Sequence, residues 1–158
     1  MGVKVSLKLT GLEELNMLLE ERKERVVNFL KVRLLQVAEE AVTYSKENKG
    51  YHDRTANLKN SISFALFYDG EIVMMHEGVI PHPEAVEGGQ GSVKSAIQTF
   101  AEENGVSAIK GFSLIVVAGM EYGVYVEHRG YNVLYLTESF LKEKMGEAFD
   151  EARRIFAA

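Results

Sequence analysis

The chain has 158 residues, no cysteine, 46 % apolar residues and a formal net charge of −5 from 18 basic and 23 acidic side chains. That length suits one domain able to bury a core without staples. The lack of cysteine excludes disulfides, thiolate zinc sites and thiol nucleophiles, and the acidic balance does not advertise binding to nucleic acid or anionic membranes.

Val3, Val5, Leu7 and Leu9 alternate with Lys4, Ser6 and Lys8, the period of a half-buried strand. The segment has no continuous apolar core or small-residue cleavage site, so it is not expected to be a signal peptide. Elsewhere no apolar run reaches the roughly 18 residues that span a bilayer, and the expected location is the cytoplasm. Thr10-Gly11-Leu12-Glu13 fits a capping box. Leu12, Leu15, Leu19, Val26, Leu30, Leu34, Val37, Ala41 and Tyr44 then recur at helical spacing as far as about Asn48. The charged block Glu20 to Arg25 interrupts this stripe and offers a place for a bend near Arg22. Unbroken, the helix would be about 55 Å long at ~1.5 Å per residue. A compact domain of this size has a radius of gyration of about 15 Å. The helix therefore either breaks or projects, and the sequence leaves both open.

Asn48-Lys49-Gly50 supplies turn residues that end it. Ile62 to Tyr68 reads as a strand, Asp69-Gly70 as a tight turn and Glu71 to Met75 as the returning strand. His76 to Gly91 holds both prolines and reads as a loop. A short helix follows, capped by Ser92, with Val93, Ala96, Ile97 and Phe100 on one face and Asn104-Gly105 closing it. Phe112 to Ala118 is a continuous apolar run, expected as a well-buried strand. Tyr122 to Glu127 is ambiguous. Thr137 is expected to cap a last helix to about Phe156, with Phe140, Leu141, Met145, Ala148, Phe149 and Ile155 as its apolar residues. The order of elements gives one α+β domain over 1–158. Its mostly antiparallel sheet packs against a long N-terminal helix and a C-terminal helix, with a loop-plus-short-helix insertion at about 76–111.

Two segments carry a resemblance. Asp53-Arg54-Thr55-Ala56-Asn57-Leu58-Lys59-Asn60-Ser61-Ile62 leads into the first hairpin strand, and Ala118-Gly119-Met120-Glu121-Tyr122-Gly123-Val124-Tyr125-Val126-Glu127 follows the last. With the opening Thr10-Gly11-Leu12-Glu13-Glu14-Leu15, they resemble the tail-component family of tailed bacteriophages and prophages, also called tail-completion or head–tail joining (neck) proteins. That family shows Asp-x-Thr-Gly-x-Leu-x-x-Ser before its first hairpin strand, then Gly-x-x-Tyr-Ala-x-x-Val-Glu and a C-terminal helix. Ala56 and Gly123 stand here where the family has glycine and alanine.

The resemblance implies a structural virion-assembly protein with no enzyme activity and no cofactor. Its partners would be itself, as a homo-oligomeric ring, and other phage neck or tail proteins, without sequence-specific nucleic-acid or membrane binding. It would work in the host bacterial cytoplasm during assembly and reside in the virion neck or tail if incorporated. The candidate structural and interface residues are Asp53, Thr55, Leu58, Ser61, Tyr122, Tyr125 and Glu127. Read from the residues alone, Asp53 and Thr55 are acceptors suited to tie down a turn, and Leu58 begins a core face. Tyr122, Tyr125 and Tyr131 suit a protein interface, and ordinary half-buried aromatics serve as well. Glu127 beside apolar neighbours points to an ion pair or subunit contact.

Catalytic chemistry finds less support. His76, Glu77, His82 and Glu84 could contribute to a metal-dependent hydrolase, the alternative reading. A helical zinc motif, however, needs its second histidine four residues on; that place is Ile80, and Gly78 and Pro81 oppose a helix. No Gly-x-Ser-x-Gly elbow is present, and the glycines of 88–91 lack the phosphate-loop spacing. A further alternative is a cytoplasmic adaptor unrelated to phage.

Overall fold

A computed structural model of the chain describes residues 12–50, 52, 57–76, 93–119 and 134–157. The expected strand Val3–Leu9, the residues Thr10 and Gly11 of the capping box, the cap Ser92 and the segment Tyr122–Glu127 lie outside these residues. The elements are α1 (Leu12–Glu47), α2 (Asn57–Asn60), β1 (Ile62–Tyr68), β2 (Glu71–Met75), α3 (Val93–Glu103), a 3-10 turn (Val106–Ala108), β3 (Phe112–Ala118) and α4 (Tyr135–Phe156). This is the expected α+β arrangement of an antiparallel sheet against long first and last helices.

β1 is the central strand, paired antiparallel with β2 on one side and β3 on the other. Its side chains alternate between two cores. Ile62, Phe64 and Leu66 meet α1, through Leu30, Leu34, Val37, Ala38 and Val42. Ala65 and Phe67 face the other way and meet Ile97 of α3 and Val106. Each such burial of a large apolar side chain contributes about 1.5–3 kcal/mol. The run ISFALFY is apolar almost throughout because both faces of this strand are covered.

The hairpin is as expected. Asp69 and Gly70 take φ values of 49° and 81°, the left-handed pair that a two-residue turn between right-twisted strands demands. A Cβ on Gly70 would stand 2.4 Å from the carbonyl oxygen of Ser107. The Asp69 carboxylate accepts from the Gly111 N–H at 2.7 Å, and the Asp69 N–H donates to the Gly111 carbonyl at 2.9 Å. The turn thus fixes the entry to β3. A bulge follows, because Leu66 opposes Met74 while Phe67 opposes Ile72, and the extra residue, Val73, turns into the core beneath α1.

Several expectations are corrected. α1 is one continuous helix that passes through Arg22 without a break. Its charged block is solvent-facing and laced by Glu20–Lys23 and Glu21–Arg25 pairs at helical spacing. Leu15 and Leu19, counted in the apolar stripe, are exposed. Among the described residues β3 has β1 as its one neighbour, and only Ile115 and Val117 of it are buried. Phe100 and Ile155 face solvent. Thr137 is not the cap of α4, since Leu134 holds that position. Thr137 lies buried inside the first turn, its hydroxyl 2.6 Å from that of Ser45 on α1. Ser45 Oγ also reaches the Ala41 carbonyl at 2.7 Å. Since a hydroxyl has one proton, Ser45 donates to Ala41 and accepts from Thr137.

α4 runs antiparallel along α1. Ser45–Thr137 and the stacked Tyr44 and Phe140 rings join one end. The ion pair of Arg33 with Glu151, at 2.9 Å, joins the middle. At the other end Arg22 donates to the Phe156 carbonyl and Phe29 meets the Phe156 ring edge-on. α4 ends there, while α1 continues outward past Arg22 to Leu12. Of the two alternatives the sequence leaves open, the helix does not break.

Two stability measurements test this account. Gly146 is helical with nothing within 4 Å of a built Cβ, so Gly146→Ala raises unfolding stability by about 0.5–1 kcal/mol. Gly70→Ala lowers it by more than about 1 kcal/mol through strain and collision. Denaturant titration of both variants checks the pair. In a double-mutant cycle, Ser45→Ala and Thr137→Val together cost less than the sum of each, by about 0.5–1.5 kcal/mol; strict additivity would contradict the hydroxyl bridge.

Candidate functional site

The described parts of the two segments that carry the family resemblance, residues 57–62 and 118–119, meet at one end of the sheet. Ile62 pairs with Ala118 at the end of the sheet. One residue further out, the Gly119 N–H donates to the Ser61 carbonyl at 3.1 Å. Leu58 and Ser61 are both buried here. The Ser61 hydroxyl donates to the Leu58 carbonyl at 2.7 Å, which satisfies a carbonyl at the end of the short α2 and turns the chain into β1. Leu58 and Ser61 are therefore framework residues. Asp53, Thr55, Tyr122, Tyr125, Glu127 and Tyr131 lie outside the described residues, as does the 77–84 part of the histidine-bearing loop.

This end of the molecule also holds two lysines. Lys46 stands in the last turn of α1 and Lys59 in α2. Burial, first, and the positive charge of Lys59, second, hold the Lys46 ammonium below the ordinary lysine range. Sequence reasoning does not bring this pair together, because it depends on how the chain turns between α1 and α2.

The opposite end of α1 carries a second feature. Leu15, Met17, Leu18 and Leu19 are 52 %, 71 %, 62 % and 55 % exposed. Beside them a hollow of about 910 Å³ opens between α1 and the β1–β2 turn. Its apolar lining is Met17, Leu18, Val27 and Tyr68. Around these stand Glu14, Glu20, Glu21, Glu24 and Asp69, with Lys23 as the one cation among the described lining residues. The signal for this feature is present in the sequence as leucines and a methionine N-terminal to the charged block, but helical spacing alone places the leucines in the core stripe.

Chemistry for catalysis is not assembled in the part described. His76 Nδ1 lies 3.3 Å from the Ser63 hydroxyl, and its ring stacks near Phe64. Ser63 is fully buried, so this contact ties β2 to β1 and offers no accessible nucleophile. Among the described residues no group of three histidine or carboxylate side chains could hold a metal ion. No described helix is long and apolar enough to cross a membrane.

No family model, no curated protein and no solved structure matches the chain.

The lysine pair has a pH consequence. With its folded pKa lowered, Lys46 binds fewer protons in the folded state than in the unfolded state just below its ordinary value of 10.5. Stability therefore rises with pH across that window, and the charged form is the destabilising one below it. Lys59→Gln removes the second cause, moves the Lys46 pKa up toward 10.5 and flattens this rise. Side-chain NMR titration of Lys46 in both proteins checks it.

Proposed function

We propose that this chain is a structural assembly protein of a tailed bacteriophage or prophage, joining or completing the tail at the head–tail interface through protein–protein contacts. It acts with other copies of itself in a homo-oligomeric ring and with neighbouring neck or tail proteins. It performs no catalysis. It assembles in the host cytoplasm and ends in the virion neck or tail.

The observation that carries the reading is the conjunction of the two resembling segments at one end of the sheet, joined by the Gly119–Ser61 hydrogen bond. Ser61 and Gly119, which match the family's pattern in the two segments, meet at one corner of the framework. The element order agrees with what the resemblance implies: long helix, motif, hairpin, second motif, last helix. The outer end of α1 supports the same reading, because a helix end with exposed leucines is suited to contact with another chain.

Light scattering on the purified protein across a concentration series tests the reading. A ring-sized species, or a climb toward one with concentration, is the expected result. A strict monomer that also fails to bind purified portal and tail proteins would contradict it.

A further inference from the structure

α1 carries an apolar stripe that α4 covers along only part of its length. Val26 and Phe29 lie on this stripe and join the core that Leu141, Met145, Phe149 and Phe156 of α4 also enter. Arg22 closes the covered stretch by donating to the Phe156 carbonyl. At spacings of three and four residues the stripe runs on through Leu19 and Leu15, both more than half exposed. The charges here are sorted around the helix. At about 100° per residue, Arg22 and Lys23 fall nearest the stripe, while Glu20, Glu21 and Glu24 fall away from it, toward the hollow they line. Lys23 and Arg25 also pair with Glu20 and Glu21 along their own helix, at exposed positions. The first turn holds Glu13 and Glu14. The order outward to inward is therefore acidic tip, two leucines, then cations.

Reversed, that order is its own complement. We infer that the outer ends of α1 from two copies pair antiparallel about a two-fold axis, Leu15 of each against Leu19 of the other. This register sets Glu13 and Glu14 of one copy alongside Arg22 and Lys23 of its partner, and an isologous contact makes each pairing twice. From Glu13 to Arg22 is about 14 Å at ~1.5 Å per residue, so the partner's tip fills the stripe as far as the end of α4. The basic residues of that last turn are Arg153 and Arg154. Asp150 engages Arg153, and Glu151 engages Arg33, so the charge of Arg154 remains to meet the incoming carboxylates. The face toward the hollow does not pair in this way, because it would set Glu14, Glu21 and Glu24 against themselves. The inference rests on the self-association proposed above and adds a contact of another kind: a two-fold contact closes as a pair, whereas a ring is built head to tail.

The chain has no cysteine, so an introduced thiol reports its own neighbour. Under mild oxidation, an equal mixture of Leu15→Cys and Leu19→Cys forms a mixed disulfide dimer faster than either variant links to itself, because opposed positions alone come within disulfide reach. Each variant linking fastest to itself would show parallel pairing and overturn the inference. Leu15→Glu with Leu19→Glu sets four carboxylates in the contact, and association in light scattering shifts to at least ~tenfold higher concentration. Met17→Glu, on the opposite side of the helix, leaves association unchanged. Circular dichroism confirms that each variant keeps its helices. Undiminished association of the double glutamate variant would overturn the inference while leaving the oligomeric reading intact. A wild-type monomer at every concentration would contradict the oligomeric reading and this contact together.

Discussion

β1 has a strand on each side and a layer of structure on each face, and its residues from Ile62 to Phe67 are all withdrawn from solvent. A strand so placed needs two separate covers. α1 provides one, through Leu30 to Val42. α3 and the 3-10 turn behind it provide the other, through Ile97 and Val106. The remaining elements follow from these needs. The Asp69-Gly70 turn sets β2 against β1, and the same Asp69 side chain fixes where β3 begins.

Covering a seven-residue strand occupies only part of a helix the length of α1. α4 uses most of the rest, held from Ser45 to Arg22 by a hydroxyl bridge, an ion pair and two aromatic contacts. What remains is the end from Leu12 to Glu21, which lies beyond α4 and borders a hollow beside the β1–β2 turn. Its Leu15, Met17, Leu18 and Leu19 are exposed, and a partner chain is the use proposed for them. The long helix thus has a middle that the sheet and α4 cover and an outer end with exposed apolar side chains.

Local chemistry is legible in the sequence and distant partnership is not. The hairpin can be read residue for residue because a left-handed two-residue turn is specified by Asp69 and Gly70 themselves. The ends of α1 and α3 are likewise marked by Asn48 and Asn104, each of which returns a side-chain hydrogen bond to the carbonyl four residues back. Thr137 resembles a cap in sequence because its partner, Ser45, lies on another helix. Phe112–Ala118 reads as well buried because an apolar run does not reveal whether a strand has one neighbour or two. Of the candidate residues, Leu58 and Ser61 prove to be framework. The acidic hollow and the lysine pair are invisible in the sequence, since each joins elements whose approach only the fold determines.

The proposed role of this protein is to assemble with other chains. Electron microscopy of the purified wild-type protein at high concentration, alone and with portal and tail proteins, tests it most directly. The account predicts closed rings of a single diameter in at least one of these preparations. Isolated particles of monomer size in all of them would contradict it.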